Sequence, residues 1–370
     1  MKKLMILAVA AIALVACSKT FDTGKSNGAA IGFNTWNEVL TKSRTQGQAG
    51  TSFAAGDHFW VYGFKNTNTP VFQSQEVTTE NGTTWTYSPK KFWDATASSY
   101  TFFALSRVEA TDPTLAANQA ASALDGSFGS DDISFDGKTQ DILVAEKVVV
   151  NKTNADPAWE NFNNWHTVDL NFHHIATLVD FKVKKAPALE HSTVAITGFD
   201  LLAIKSNGKY SITYDGSNKP VVTWADAATP ATTSYDETMS VAGPASLPDD
   251  VALHSSSSEL INRLIVRPHT LADTELMQIS YTITTPVGNG NEVVTVQNAQ
   301  VKLNLFDDTD YPTDDDNVND GAQYNASDKI TAWEAGKHYT YYLTIDAHTI
   351  EFTGSITDWT AVSGYHYLVN

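Results

Sequence analysis

The stretch Phe59-Trp60-Val61-Tyr62-Gly63-Phe64 decides the fold class of this chain. Successive residues of a β-strand point to opposite faces of the sheet, and in this stretch both alternating sets are apolar. A strand that is apolar on both faces has to be covered on both faces. The pattern therefore predicts a central strand in an all-β protein.

Short strand-like runs separated by polar turns continue on both sides of this stretch. In the first half they lie at residues 85–88, 100–105, 142–145, 148–150, 168–174 and 179–184. In the second half they lie at residues 194–202, 210–214, 221–224, 264–266, 278–284, 292–305, 339–345 and 349–356. Asn-Gly pairs at residues 81–82, 207–208 and 289–290 predict turns between strands.

The length of 370 residues suggests two domains, and the strand spacing indicates two tandem β-sandwiches. Alternation stops at residues 185–188, so we place an N-terminal sandwich at residues 31–186 and a C-terminal sandwich at residues 187–370. One short helix is expected in the first, over residues 115–124, with Asp112-Pro113 at its start and Gly126 at its end.

The net charge of −18 argues against nucleic acid or anionic lipid as a partner of the whole surface, because both are polyanions. Cys17 is the single cysteine, so the chain forms no internal disulfide and has no metal site of the Cys-x-x-Cys type.

The first residues read as a lipoprotein signal peptide. Two lysines precede an apolar run of about a dozen residues, shorter than the ~20 that span a membrane, and the run ends in Leu14-Val15-Ala16-Cys17. This is the pattern of a bacterial lipobox. It predicts cleavage between Ala16 and Cys17, acylation of Cys17 and a tether over residues 17–30. The alternative is an ordinary signal peptide in which the cysteine is incidental.

Few residues suggest chemistry. His173 and His174 are neighbours on a predicted strand and would point to opposite faces, so we expect one buried and one exposed histidine and no shared metal. The aspartate-rich residues 307–320 read as a solvated loop, with calcium binding as the alternative. The nine tryptophans are expected mainly in the core, with a glycan platform as the alternative. We predict no enzyme, no cofactor and no metal site.

A set of short motifs resembles the fimbrillin-like family of Bacteroidales surface lipoproteins, the subunits of type V pili. The order and spacing of the motifs carry the resemblance, which covers most of the chain. They are GDHFWV (56–61), WTYSPKKFW (85–93), YTFFA (100–104), DILVA (141–145), LNFHHI (170–175) and WEAGKHY (333–339).

The resemblance implies two transthyretin-like β-sandwiches and a route to a polymer. A lipidated precursor reaches the outer membrane, a protease specific for arginine or lysine removes the first strand, and a strand of a neighbouring subunit fills the groove. An empty groove exposes unpaired backbone groups and apolar side chains, and an incoming strand covers both.

The sequence offers candidates for each part of this route. Residues 30–36 alternate weakly and are the expected removable strand. Arg44 precedes a segment rich in glycine and glutamine that begins at Thr45, so we predict processing between Arg44 and Thr45, with Lys42 as the second choice. Both basic residues could also be ordinary loop charges. The tail 364–370 could donate a strand or complete its own domain.

Two functions follow. The first is a structural fimbrial subunit, which starts as a lipid-anchored outer-membrane precursor and whose partners are other subunits. The second is a monomeric surface lipoprotein or pilus-tip adhesin that binds glycan or host protein through aromatics such as Trp159 and Trp165.

Overall fold

The computed structural model describes residues 29–35, 53, 55–94, 96–107, 127–129, 133–137, 141–151, 167–236, 258–259, 264–304, 330–346 and 350–358. These residues form 24 strands, and their only helical segment is the 3-10 turn Pro187–Leu189. The predicted all-β class is confirmed. None of the helical residues described here forms a segment long and apolar enough to cross a membrane. The predicted helix over residues 115–124 lies outside the described residues.

The sheet of the N-terminal half has seven strands, with the order β11-β8-β5-β2-β3-β4 and β9 paired with the other end of β5. Its strands are β2 (His58–Lys65), β3 (Thr69–Thr79), β4 (Trp85–Thr86), β5 (Ser99–Ser106), β8 (Leu143–Ala145), β9 (Val148–Asn151) and β11 (Phe172–His174). β2 lies between β3 and β5 and is buried along almost its whole length, so the predicted central strand is confirmed.

A second, much smaller layer covers one face of this sheet. It consists of β1 (Phe33–Thr35) and β10 (Val168–Leu170), which pair in parallel. Phe33, Val168 and Leu170 from this layer pack against the sheet and close the first core. The sheet contributes Phe59, Val61, Phe72, Val77, Phe102, Ala104, Leu143, Ala145 and Phe172.

The opposite face of the seven-stranded sheet is covered by strands from both halves of the chain. β14 (Asn207–Tyr214) pairs with β15 (Pro220–Ala225), and on its other edge with β6 (Ser127–Gly129) and β7 (Ile133–Ser134). Tyr210 and Ile212 of β14 share a second core with Trp60 and Tyr62 of β2. Strand β2 therefore packs into a different core on each face, which explains its two apolar sets of residues.

The C-terminal half packs a five-stranded sheet against a four-stranded one. The first has the order β17-β12-β23-β24 with β18 also on β12, and the second has the order β16-β13-β20-β21. A third core lies between them, with Phe181, Phe199 and Tyr341 at its centre. The strands are β12 (Thr177–Lys185), β13 (Thr193–Lys205), β16 (Thr232–Asp236), β17 (Ser258–Glu259), β18 (Leu264–Val266), β20 (Leu276–Val287), β21 (Gly290–Lys302), β23 (Lys337–Ile345) and β24 (Ile350–Asp358). A further pair consists of β19 (His269–Thr270) and β22 (Ala332–Trp333).

Strand β12 pairs in parallel with β23, and its residues Val179, Phe181 and Val183 belong to the third core. The proposed boundary between residues 186 and 187 thus follows a strand that packs with the C-terminal half. The division into residues 31–186 and 187–370, and the transthyretin-like arrangement, stay predictions.

Two of the three Asn-Gly predictions are confirmed. Residues 81–82 lie in the turn between β3 and β4, and residues 289–290 close the β20–β21 hairpin, where Val287 pairs with Gly290. The prediction at residues 207–208 was wrong. Asn207 and Gly208 begin β14, which pairs with β7 there, while the preceding β13 belongs to another sheet.

Candidate functional site

The first strand, meaning residues 29–35 with β1 at its end, forms backbone hydrogen bonds along both of its edges. On one side the amide of Ile31 donates to the carbonyl of Lys91 at 2.9 Å, and the amide of Trp93 donates to the carbonyl of Ala29 at 3.2 Å. On the other side the amide of Val168 donates to the carbonyl of Gly32 at 2.8 Å, and β1 continues in parallel along β10. The segment 29–35 is therefore an inner strand of its layer, and removing it would leave two unpaired edges.

The inward side chains of this segment fill the first core. Ile31 is 1% exposed and Phe33 is 4% exposed. The ring of Phe33 makes edge contacts with four aromatic rings, with centroid distances of 5.4 Å to Phe72, 5.7 Å to Tyr87, 6.1 Å to Phe59 and 6.2 Å to Phe102. Full burial of such side chains contributes about 1.5–3 kcal/mol each. Phe33 is thus the main apolar anchor of the first strand.

Tyr87 ties the same segment to the rest of the core. Its hydroxyl donates to the carbonyl of Ile31 at 2.6 Å and accepts a hydrogen bond from the amide of Lys91 at 3.2 Å. Burial raises the pKa of Tyr87, an effect that the hydrogen bond with the Lys91 backbone partly offsets. The tyrosine therefore stays neutral and keeps its proton for the Ile31 carbonyl.

The last two residues of the segment make polar contacts with residues around β10 and β4. Asn34 donates to Oγ1 of Thr167 at 2.5 Å and to Oδ1 of Asp169 at 3.2 Å. Thr35 accepts a hydrogen bond from the indole Nε1 of Trp85 at 3.3 Å. Each residue from Ile31 to Thr35 therefore contacts a defined partner, through its side chain or its backbone. The groove that residues 29–35 occupy thus has a separate contact for each of these five positions.

The residues on the two sides of the predicted processing site belong to one core. Ile31 and Phe33 precede that site, and Phe53 follows it, 2% exposed and 5.4 Å from the ring of Phe172. The predicted processing residues Lys42, Arg44 and Thr45, and the predicted lipidation residues Ala16 and Cys17, lie outside the described residues.

Sequence reasoning identified the first strand but missed the residues that hold it. Trp85 and Tyr87 were assigned to a strand-like run and to a family motif, and Val168 and Leu170 to a separate strand. The alternating pattern of residues 85–87 predicts a strand. Which strand they contact depends on a pairing between residues 50 and 56 positions apart, and no local pattern encodes that pairing.

The two neighbouring histidines occupy different environments, as expected. His174 is buried, and its Nδ1 lies 2.8 Å from Oδ1 of Asp141. The side chain of His173 is 36% exposed and its Nε2 lies 2.9 Å from Oε1 of Glu146. The described residues contain no group of three or more histidine, cysteine or acidic side chains placed to hold a metal ion. The aspartate-rich residues 307–320 lie outside the described residues.

Comparison with known proteins gives the family. Among solved structures, a fimbrial protein from Bacteroides vulgatus ATCC 8482 matches with a TM-score of 0.53 and 17% identity, over 90% of this chain and 99% of that chain. The tip fimbrial protein Mfa3 from Porphyromonas gingivalis, with a C-terminal truncation, matches with a TM-score of 0.41 and 9% identity, over 90% and 100%. A comparison with curated proteins found no match. The model of the Fimbrillin-like family matches residues 41–359, and the chain therefore belongs to the fimbrillin-like family.

Proposed function

We propose that this protein is a structural subunit of a surface fimbria, exported as a lipid-anchored precursor and polymerised by strand exchange after proteolysis. Family membership supports a fimbrial or adhesive role at the cell surface. The proposal of strand exchange rests on the way residues 29–35 are bound. They are paired with neighbouring segments on both edges, and Phe33 anchors them in the first core.

In this proposal the lipid and the first strand leave together. Acylation of Cys17 after cleavage behind Ala16 anchors the precursor in the outer membrane. A cut after Arg44 separates residues 17–44 from the rest of the chain, and a cut after Lys42 separates residues 17–42. Residues 29–35 lie within the released piece, whereas Phe53 stays in the core. One proteolytic event would therefore free the subunit from the membrane and open its groove.

The empty groove is then the driving force for assembly. Loss of Ile31 and Phe33 exposes the apolar rings of Phe59, Phe72 and Phe102, and the edges at residues 91–93 and 168–170 lose their backbone partners. A strand from a neighbouring subunit restores apolar contacts and hydrogen bonds together. The precursor keeps the groove filled and thus cannot polymerise before it is processed.

A disulfide lock tests the strand exchange directly. Asn34 and Asp169 are register partners on β1 and β10, and their side chains are in contact at 3.2 Å. The double variant Asn34→Cys/Asp169→Cys is expressed in a Bacteroidales host, and unboiled samples are examined for oligomer ladders. We expect the native chain to form ladders whose bands begin at Thr45. The locked chain is expected to stay monomeric until a reductant is added.

Processing variants complete the test. Lys42→Ala/Arg44→Ala should retain the acyl group on Cys17 and form no ladder, whereas the matched control Lys25→Ala in the tether should behave like the native chain. If the native chain is found only as a monomer that is still acylated at Cys17, strand-exchange polymerisation is wrong. The alternative of a monomeric surface lipoprotein or tip adhesin would then replace it.

A further inference from the structure

The far end of the β20–β21 hairpin is exposed on both of its faces. Every residue from 286 to 295 is exposed, and the side chains of Val287, Val293 and Val294 are 56%, 59% and 43% exposed. These are three of the seven large hydrophobic side chains that are exposed among the described residues. Single exposed apolar side chains need no explanation, whereas a cluster of them marks an interaction site.

This end of the hairpin has no third strand within the described part of the chain. β13 pairs with β20 only as far as the partners Thr193 and Thr284, so residues 285–295 form a ribbon of two strands. The outer edge of β21 is likewise unpaired among the described residues. A ribbon of two strands is only marginally stable in water, and an open edge offers its backbone groups to another strand.

The features that usually protect an edge strand are missing from the first part of β21. Residues 290–301 contain neither proline nor lysine. A bulge interrupts the pairing with β20 at Asn298, whose φ angle is 53°, so the regular part of the edge is residues 290–296. A regular and apolar edge without these features pairs readily with another chain.

The low charge of this region allows that chain to be a second copy of the same protein. Residues 279–301 contain one charged residue, Glu292, whereas 18% of the whole chain is charged and its net charge is −18. Two copies therefore repel each other when acidic surfaces meet. The neutral edge of β21 lets them approach without bringing carboxylates together.

We propose that β21 pairs with β21 of a second copy of this chain, antiparallel and centred on Val294. In this register Val294 lies opposite Val294, Val293 lies opposite Thr295, and Glu292 lies opposite Val296. β-branched side chains pack well against such cross-strand neighbours. The two Glu292 residues are four positions apart, or about 14 Å, which exceeds the screening length of roughly 8 Å at physiological salt.

The pairing covers exposed valines on both faces of the ribbon. Val294 lies on the face of the third core, because its register partner Ile283 belongs to that core. Val294 of the second copy continues this apolar row, and Thr295 of the second copy covers Val293 on the opposite face. The contact is isologous, since the same edge serves both copies. It does not involve the first-strand groove and is therefore independent of the proposed function.

Cysteine cross-linking tests the pairing in the full-length chain. Val294→Cys is produced together with Lys42→Ala/Arg44→Ala in a Bacteroidales host, so that no dimer arises from strand exchange, and intact cells are oxidised briefly with copper phenanthroline. The same chain without the added cysteine gives the background.

A two-fold contact places the residue on its axis next to its own copy, at a Cα separation that a disulfide can bridge. We therefore expect a disulfide-linked dimer of two identical chains. Val287→Cys is the matched control, because Val287 is also exposed but lies on β20, and it should give at least ~5-fold less dimer. No dimer, equal dimer from the two variants, or a disulfide to a different protein would each overturn the pairing.

A lysine on the edge tests whether β21 itself makes the contact. Val293→Lys is added to the Val294→Cys chain, because lysine side chains on edge strands oppose pairing with another chain. We expect the dimer to fall at least ~5-fold, whereas Val221→Lys on the exposed face of β15 should leave it within ~2-fold. A dimer that persists in the Val293→Lys chain would overturn the β21 contact. Oligomer ladders of the processed chain test strand exchange separately, so the two proposals fail independently.

Discussion

The hydroxyl of Tyr87 lies 2.6 Å from the carbonyl oxygen of Ile31, across 56 positions of sequence. The same hydroxyl accepts a hydrogen bond from the amide of Lys91, whose carbonyl in turn binds the amide of Ile31. The turn after β4 and the first strand are thus joined in one small network. The network lies along the edge of the first strand opposite the one that pairs with β10. Its hydrogen bonds hold the strand in addition to the apolar contacts of Phe33.

Replacing Tyr87 with phenylalanine should loosen the first strand without unfolding the chain. The ring contacts remain, but the buried carbonyl of Ile31 loses a donor, which costs about 1–3 kcal/mol. We expect amide exchange of residues 29–35 to rise ~10-fold or more. Tyr62→Phe is the control, because its hydroxyl donates to Ser74 on the other face of the sheet. Unchanged exchange in Tyr87→Phe would show that the network does not hold the strand.

Replacing Phe33 with alanine should release the first strand before any proteolysis. The substitution removes a ring from among four others, and such truncations cost about 3–5 kcal/mol. We expect the unprocessed precursor to expose residues 29–35 to exchange and to become more sensitive to protease between residues 36 and 52. Val221→Ala is the matched control, since that side chain is 48% exposed on β15, in a different sheet from the first strand, and a surface substitution changes stability by less than about 0.5 kcal/mol. Similar behaviour of the two variants would argue against Phe33 as the anchor.

Acid should weaken the N-terminal half through Asp94. The hydrogen bond from Lys65, at 2.7 Å, and then the hydrogen bonds from Thr96 lower the pKa of Asp94 to about 2. Because the folded-state pKa lies below the usual value of 3.8, the stabilisation is present above pH ~4 and is lost as the pH falls toward 2.

The measurement is the free energy of unfolding between pH 5 and 2 for the native chain and Asp94→Asn. The free energy of unfolding of the variant should be lower by about 1–2 kcal/mol at pH 5 and by less at pH 2, where much of the native aspartate is itself protonated. Asp273→Asn serves as the control, because the side chain of Asp273 is 69% exposed and its pairing with Lys302 is screened by solvent. A constant difference between Asp94→Asn and the native chain across this range would contradict the prediction.

The C-terminal half should depend on the buried carboxylate of Glu275. Its oxygens accept hydrogen bonds from the amides of Ala272 and Lys205, and Oε1 lies 2.6 Å from His269 Nε2. Burial disfavours the charged form of Glu275, but these hydrogen bonds, together with the attraction of His269, outweigh it and lower the pKa of Glu275.

Glu275→Gln should destabilise the chain by about 3 kcal/mol, since it leaves donors unmatched in a buried network. Chemical unfolding followed by near-ultraviolet circular dichroism measures the loss, and Trp333, which packs on His269, should report it. Glu292→Gln on the exposed part of β21 should change little. An unaltered midpoint for Glu275→Gln would mean that the network contributes no net stability.

The strands themselves could be predicted because their signal is local. In residues 59–64 both alternating sets are apolar, which requires two covered faces whatever covers them. His173 and His174 were assigned opposite environments for the same reason, since the pleat alone sends neighbours to opposite sides. The family could be recognised from ordered motifs that lie on these strands.

The partners of the strands could not be predicted. Asn207-Gly208 reads locally as a hairpin turn, yet β14 pairs with β6 and β7, about 75–85 positions earlier in the sequence. The pairing of Phe33 with Val168 and the hydrogen bond from Tyr87 to Ile31 were equally hidden. The alternation of apolar residues shows which face of a strand is apolar, because it is a property of consecutive residues. Which strands pair, and which apolar faces pack against one another, depends on segments that are distant in sequence, and only the tertiary structure decided it.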